Sequence, residues 1–293
     1  MSAFSIVFCR DPIEPRYPDR AFDREVEACR RLGLGYILID HDAADRRNDG
    51  VAAIAGLRPS DNPMMAVYRG WMLTVEGYAT LHGALASRTV TLINSPEHYA
   101  ACHHWPEACR HLPGIAPRTV TVEADSVRNP DAVADALAVF GGRAVIVKDW
   151  VKSQAAGYWR EACHIPDSSD FRAATKVVDR FLELQGDSLA GGLVFKEFHE
   201  LAKTGGMADE WRSFILEGTV IGTWPRDEIE GGGPPADLVA AVASSLPSRF
   251  FSADFARKTD GSWMLIEVGD GQVSSIPDSA DPDVVFHALA CLP

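Results

Sequence analysis

The chain carries two apolar runs near its end, Phe251-Ser252-Ala253-Asp254-Phe255-Ala256-Arg257 and Trp263-Met264-Leu265-Ile266-Glu267-Val268, on either side of Asp260-Gly261. Asp-Gly between two such runs is a strong signal for a β-hairpin with a two-residue turn. Counting outward from that turn places Asp254 directly opposite Glu267. Facing residues have Cβ atoms about 4.5–5.5 Å apart on one face of a sheet, so the pattern predicts two carboxylates side by side.

A metal ion is one explanation for such a pair. Like charges in a partly buried element are costly unless something neutralises them, and magnesium selects hard oxygen ligands. Asp270, three residues past Glu267, is a candidate to complete the shell. A solvated acidic patch, or a pair bridged by Lys or Arg, explains the same residues. The prediction depends on the register, which also pairs Arg257 with Met264, because a slip of one residue turns a side chain to the other face.

Two lysines end apolar runs upstream of this hairpin. Lys148 closes a predicted strand that begins at Ala144, and Lys196 lies in the predicted strand Leu193–Phe198. Either lysine alone is explained by a side chain that reaches out to solvent. Together with a polar loop that contains Ser153 and Gly157, they suit an anionic ligand such as the phosphates of ATP.

A third cation, Arg212, lies in an earlier hairpin that turns at Glu217-Gly218. The familiar nucleotide motifs are missing: the sequence has no phosphate-binding Gly-x-x-x-x-Gly-Lys-Ser/Thr loop and no Gly-x-Gly-x-x-Gly. It also lacks the nucleophile elbow and the protein-kinase signatures. A bound nucleotide therefore requires a different scaffold.

The first part of the chain alternates short strands with helices up to about Pro113, which predicts an open, largely parallel sheet. Arg10, Arg69 and Trp71 lie where predicted strands end, which is the usual ligand crevice of such sheets. Arginine suits a carboxylate, so these residues are candidate substrate contacts. A structural salt bridge explains Arg69 equally well.

Composition restricts the function. The chain has 293 residues, of which 46% are hydrophobic, and this predicts two or three subdomains. The net charge of -13 argues against nucleic-acid binding. No apolar stretch reaches the roughly 18 residues of a membrane span, and the first ten residues do not resemble a secretion signal. These features predict a cytoplasmic protein that binds neither nucleic acid nor membrane.

The six cysteines are scattered and are expected to be free thiols. One segment is rich in possible zinc ligands, namely Cys102, His103, His104, Cys109 and His111. Their spacing matches no familiar zinc motif, so ordinary helix and loop positions are the preferred interpretation.

The order of these features resembles the ATP-grasp superfamily. A strand lysine with a flexible loop comes first, followed by a hinge strand, a hairpin that carries Glu210-Trp211-Arg212, and the final pair of Ala253-Asp254-Phe255 with Ile266–Gln272. The ending, and Tyr68-Arg69-Gly70-Trp71 near the start, look like a bacterial and phage clade related to the glutamate ligases that modify ribosomal protein tails. The resemblance covers residues 115–275, and the first 113 residues more loosely.

The resemblance implies an α/β fold that becomes α+β in its C-terminal part. Residues 1–114 would form an N-terminal parallel-sheet domain, and residues 115–293 the ATP-grasp domain. Within the latter, a lid subdomain would span about 115–195 and a C-terminal subdomain about 196–293.

The resemblance also implies a role for each matching residue. Lys148 would contact the ATP phosphates, with Ser153 in the loop that follows, and Arg212 would steady the γ-phosphate or an acyl phosphate. The hinge residues would bind adenine and ribose: Lys196, Glu197, Phe198, His199 and Glu200. Asp254 and Glu267 would hold magnesium. Many members carry Asn two residues after the Glu, and here that position is Gly269.

The implied activity is that of an ATP- and magnesium-dependent carboxylate–amine ligase, which acts through an acyl phosphate and releases ADP and phosphate. Its substrates would be a carboxylate and an amine, either small molecules or peptides. A phosphotransferase on the same scaffold and a non-catalytic nucleotide-binding protein are the alternatives. A symmetric homodimer is the ordinary prior for the assembly.

Overall fold

The computed structural model, which describes residues 4–59, 62–151, 158–227 and 231–292, begins with a parallel four-stranded sheet in the order β2-β1-β3-β4. Its strands are β1 (Phe4–Cys9), β2 (Gly35–Ile39), β3 (Met64–Arg69) and β4 (Val90–Leu92). The helices of this part are α1 (Asp23–Arg31), α2 (His41–Asp45), α3 (Gly50–Ala53), α4 (Val75–Ala86), α5 (Pro96–His103) and α6 (Trp105–His111). The predicted parallel sheet is confirmed.

Local sequence signals explain several of these boundaries. The Thr74 side chain accepts a hydrogen bond from the amide of Gly77 and caps α4, and Ser95 caps α5 in the same way ahead of Pro96. The apolar strand β1 is buried along its whole length because helices cover both faces of the sheet.

The middle of the chain forms a second, antiparallel sheet in the order β5-β8-β6-β7. Its strands are β5 (Thr119–Glu123), β6 (Val145–Lys148), β7 (His164–Ile165) and β8 (Gly192–Glu197). Two helices, α7 (Pro130–Ala138) and α8 (Phe171–Gln185), cover one face and form an apolar core with it. Strands β6 and β8 and both helices were predicted from the sequence, whereas β5 was not.

The last part forms a third sheet in the order β12-β11-β13-β14. Its strands are β11 (Glu210–Leu216), β12 (Thr219–Pro225), β13 (Phe250–Arg257) and β14 (Trp263–Asp270), and a small hairpin of β9 (Lys203–Thr204) and β10 (Met207–Ala208) precedes them. The helices are α9 (Ala236–Ala243) and α10 (Pro282–Ala290). Helix α10 packs against α1, which joins the end of the chain to the first sheet.

The decisive hairpin reaches its predicted pairing by an unpredicted route. Asp254 lies opposite Glu267, as predicted, but Arg257 pairs with Trp263 and not with Met264. The loop has three residues, since the Lys258 amide donates to the Ser262 carbonyl and Gly261 adopts φ 86°. This shifts the register by one residue. A β-bulge that leaves Ile266 unpaired then shifts it back before Asp254.

No helix in the described part of the chain has the length and apolar character that crossing a membrane requires.

Candidate active site

The second sheet presents a polar face toward the third. Val145 pairs with Ile165 and lies in the core under α7 and α8. Because side chains alternate along a strand, Lys148, Lys196 and His164 all lie on the opposite face. The two predicted lysines therefore come together on one surface.

Lys148 forms an ion pair with Glu267 across the two sheets. Its Nζ donates to Oε1 of Glu267 at 2.7 Å. The lysine side chain is only 5% exposed, whereas that of Glu267 is 44% exposed in the cleft. Desolvation alone would raise the pKa of Glu267, but the neighbouring cations, above all Lys148, lower it below its ordinary value. Glu267 is thus a charged carboxylate that a ligand in the cleft can reach.

Lys196 is buried beside this pair. Its Nζ donates to the carbonyl oxygen of Ile266 at 2.6 Å and lies 4.7 Å from the centre of the Trp105 ring. Burial, together with the nearby charge of Lys148, lowers the pKa of Lys196 to about 8. This lysine would gain from an additional anion.

Asp254 is held by two arginines. Arg212 donates from Nε and Nη2 to its two carboxylate oxygens, both at 2.7 Å. Arg226 donates from Nη1 to Oδ2 at 2.9 Å. The Nη1 of Arg212 also donates to the backbone carbonyl and the hydroxyl of Ser275. Both oxygens of the 3% exposed Asp254 are therefore occupied.

The two facing carboxylates are thus neutralised separately, which is the alternative of pairing with Lys or Arg. Among the residues that the structure describes, no three His, Cys, Asp or Glu side chains form a group that could hold a metal ion. The hard oxygens of Glu267, exposed in the cleft, suit one divalent ion. Asp254 in its present hydrogen bonds does not suit one.

Asp270 does not join this group. It lies three residues from Glu267 on β14, so strand alternation turns it to the opposite face. There its Oδ2 accepts from Asn94 Nδ2 at 2.6 Å, and its Oδ1 accepts from the amide of Gln272 at 2.9 Å. Its predicted role as a metal ligand has no support, because an odd spacing along a strand cannot place two side chains on one face.

A cleft of about 770 Å³ adjoins the pairs of Lys148 and Asp254. The N-terminal region contributes a wall that includes Phe22, Trp71, Met72 and His103, and the third sheet contributes Arg212, Asp254 and Glu267. Trp71 is 48% exposed. Its Nε1 donates to Asp19 Oδ2 at 2.8 Å, and its ring meets Phe22 edge to face. Trp71 therefore lies where a substrate contact was expected from the sequence.

The two predicted substrate arginines lie elsewhere or are already engaged. Arg69 is fully buried and donates four hydrogen bonds: two to the carboxylate of Glu25 and one each to the carbonyls of Gly271 and Ser274. Arg69 is therefore a structural salt bridge. Arg10 pairs with Asp40 at 2.6 Å and does not line the cleft.

The predicted hinge residues surround a second cavity of about 680 Å³, which includes Phe198 and Glu200. Trp159 stacks on His164, and Phe198 contacts His164 edge to face with ring centres 4.6 Å apart. The amide of Phe198 is used by the sheet, since it donates to the carbonyl of Ala144. This end of the site is aromatic where the other end is charged.

Two other hinge side chains differ in orientation. Glu197 lies on the face opposite Lys196, where it pairs with Arg143 at 3.0 Å and with Arg118 at 3.9 Å. His199 is half-buried. Ser153 and Gly157 of the predicted phosphate loop lie outside the described residues.

Four residues of the site were not predicted from the sequence: Arg226, His103, Trp159 and His164. Arg226 follows Trp224 by two positions at the end of β12, and Trp224 pairs with Arg212. Alternation along that hairpin places Arg226 and Arg212 on one face. The sequence contained this signal. Trp159 and His164 carry no comparable pattern.

Residues 139–289, which are 151 of the 293 residues, match the model of a family described as an ATP-grasp domain, clade family 3. No curated protein matches the chain.

Several solved structures share the fold over almost the whole chain. The D-cycloserine synthetase DcsG has a TM-score of 0.62 at 17% identity, over 98% of both chains. A RimK domain protein ATP-grasp from Sphaerobacter thermophilus has a TM-score of 0.59 at 17% identity, over 96% of this chain and 98% of the other. The ATP-grasp ligase PsnB, complexed with a phosphomimetic variant of minimal precursor, Mg and ADP, has a TM-score of 0.59 at 14% identity, over 99% and 96%. At these identities the similarity shows the fold, which confirms the predicted architecture.

Proposed function

The chain belongs to this clade family of ATP-grasp domains, and on this premise we propose that it is an ATP- and magnesium-dependent ligase. It joins a carboxylate to an amine through an acyl phosphate and releases ADP and phosphate. The superfamily and the clade predicted from the sequence are thereby confirmed, whereas the activity is our proposal.

The observation that supports it most directly is the charge of the cleft. Four cationic side chains, Lys148, Lys196, Arg212 and Arg226, meet only two facing carboxylates. An excess of fixed, desolvated cations is what the phosphates of a nucleotide and a transferring phosphoryl group require. Lys196, whose pKa is lowered to about 8 by burial, gains most from such an anion.

The two cavities suggest how the nucleotide lies. The aromatic cavity around Trp159, His164 and Phe198 suits a purine ring, and Glu200 on its rim is placed for the ribose. Lys196 lies between this cavity and the pair of Lys148 and Glu267, where the phosphates would follow. Bound magnesium would neutralise phosphate charge, and Glu267 is the residue that would hold it.

The chain's own residues would then serve the acyl transfer. Lys148 and Arg212 stabilise the charge that develops on the transferred phosphoryl group, and the cleft aligns the carboxylate with it. The carboxylate oxygen attacks the γ-phosphorus and ADP leaves. The amine nitrogen then attacks the acyl carbon, and phosphate leaves as the amide forms.

The apolar wall of Trp71, Phe22 and Met72 is our candidate for substrate binding. The cleft is open and large enough for a small molecule or a peptide end. PsnB, which has the same fold, was solved with a precursor and with Mg and ADP. These facts support a substrate at this wall and leave its size open.

A non-catalytic nucleotide-binding protein is the second candidate, because both oxygens of Asp254 are occupied by arginine. Such a protein would bind ATP and magnesium without forming ADP under any mixture of carboxylates and amines. A ligase would release ADP when its carboxylate is present, and added hydroxylamine would trap the acyl phosphate as a hydroxamate.

The first test is the thermal stability of the wild type and of Glu267→Gln with ADP or ATP, with and without magnesium. A ligand at 100 times its Kd adds about 2.7 kcal/mol of stability. We expect the magnesium-dependent part to be lost in Glu267→Gln and kept in Glu183→Gln, which changes a surface carboxylate on α8. No stabilisation by any nucleotide would refute the proposal.

A further inference from the structure

The three hydrogen bonds to Asp254 differ in how firmly their donors are held. Arg212 makes two of them, its side chain is only 11% exposed, and it is also fixed to Ser275. Arg226 makes one, and its side chain is 38% exposed. Arg226 is thus the cation that could be removed from the site with the least change to its surroundings.

The main chain presents Arg226 to this carboxylate. Its amide donates to the carbonyl of Glu210 at 2.9 Å, which continues the pairing of β11 with β12 past Pro225. The guanidinium therefore projects from the end of a strand and not from a long loop.

The cleft side of β14 offers few other oxygen ligands. Residue 269 is glycine, and a Cβ there would lie 2.9 Å from Ser274 Oγ and 3.4 Å from Ser252 Oγ. Any larger side chain at this position would have to displace Ser274. Asp270, the next carboxylate, lies on the other face.

We propose that Arg226 is a built-in cation on Asp254, so that this cleft takes one divalent ion, at Glu267, in place of an ion shared by Asp254 and Glu267. The part that concerns nucleotide rests on the proposed function. The arginine supplies fixed positive charge where a metal ion would otherwise be needed, and a second divalent ion would have to displace a guanidinium from a buried carboxylate. Breaking a buried charge pair is strongly unfavourable.

The proposal predicts a gain of metal binding on removing a cation. In Arg226→Met, Oδ2 of Asp254 loses a hydrogen bond and faces Glu267 without its neutralising charge. Manganese(II) is the probe, because its free concentration can be followed by electron paramagnetic resonance. Arg110→Met, at an exposed arginine of α6, is the matched control.

Without nucleotide, we expect Arg226→Met to bind Mn²⁺ at least tenfold more tightly than the wild type and the control. The double variant Arg226→Met/Asp254→Asn should lose this gain. With saturating ADP, we expect one Mn²⁺ per chain in the wild type and two in Arg226→Met.

Two Mn²⁺ ions per chain in the ADP-bound wild type would overturn the proposal. So would a folded Arg226→Met, verified by circular dichroism and thermal unfolding, that binds no more Mn²⁺ than the control. If ADP fails to bind to the wild type at all, the proposed function falls, but the nucleotide-free comparison still tests the role of Arg226.

Discussion

Strand β14 carries an acidic residue on each of its faces, and the two have different surroundings. Glu267 faces the cleft, is 44% exposed and pairs with the single lysine Lys148. Asp270 is fully buried and accepts from Asn94 and Gln272, which belong to the junction with the first sheet. A carboxylate with one flexible partner and access to the cleft can exchange that partner for a ligand. A carboxylate enclosed by fixed donors holds two parts of the chain together.

The pair of Arg69 and Glu25 belongs with the second kind. Both residues are buried, and Arg69 also donates to two carbonyls in the segment after β14. Charged residues near the cleft thus divide into those that bind ligand and those that join the first sheet to the third. Substitutions on each side of this division should have different consequences.

The largest effect is expected from Arg69→Met. Removing one partner of a buried ion pair leaves the other charge uncompensated, which costs about 3–5 kcal/mol. We expect the free energy of unfolding to fall by about that amount in urea titrations. Arg10→Met, which removes a part-exposed pair with Asp40, should cost less than about 1 kcal/mol.

The opposite result would move Arg69 to the ligand-binding class. If Arg69→Met unfolds like the wild type but binds substrate or nucleotide much more weakly, the arginine contacts ligand, as the sequence alone suggested.

The next effect is a pH dependence that comes from Asp270. Burial raises its pKa to about 7, although hydrogen bonds from Gln272 and Asn94 oppose the shift. The folded state therefore binds this proton more tightly than the unfolded state does. The stability from this residue is present at low pH and is lost as the pH rises from about 4 to about 7, by at most about 1.4 kcal/mol per pH unit.

Asp270→Asn cannot titrate, so its stability relative to the wild type should rise across that pH window. Urea unfolding at several pH values between about 4.5 and about 7.5 measures the difference. A constant difference would mean that Asp270 stays charged in the fold, and the rear face of β14 would then hold a permanent carboxylate.

The facing positions of Asp254 and Glu267 were predictable because two deviations cancel. An extra loop residue at Gly261 shifts the hairpin by one, and the bulge at Ile266 restores it. Asp-Gly identified the hairpin, but neither the loop length nor the bulge is encoded by a short local pattern. The face of Asp270, in contrast, follows from counting along the strand, and that count was not applied to the sequence.

The partners of these carboxylates were harder to predict. Lys148 and Arg226 reach them from other strands, and such pairings depend on how sheets meet. A hairpin's own alternation predicts which residues share a face, but not which cation from a distant segment arrives there. This is why the candidate residues were largely named from the sequence while their neutralisation was not.

The smallest effect concerns the cleft face and is a proton. Since burial lowers the pKa of Lys196 to about 8, the side chain is about half protonated at pH 8 without ligand. Phosphates nearby would raise that pKa, so ADP binding at pH 8 should take up to about half a proton from solution. Calorimetry in two buffers of different ionisation enthalpy measures this uptake. We expect it to vanish in Lys196→Met and to persist in Lys176→Met, an exposed lysine of α8. Equal uptake in both variants would place the phosphates away from Lys196, and the cleft face of the second sheet would then be as closed to ligand as the rear face of β14.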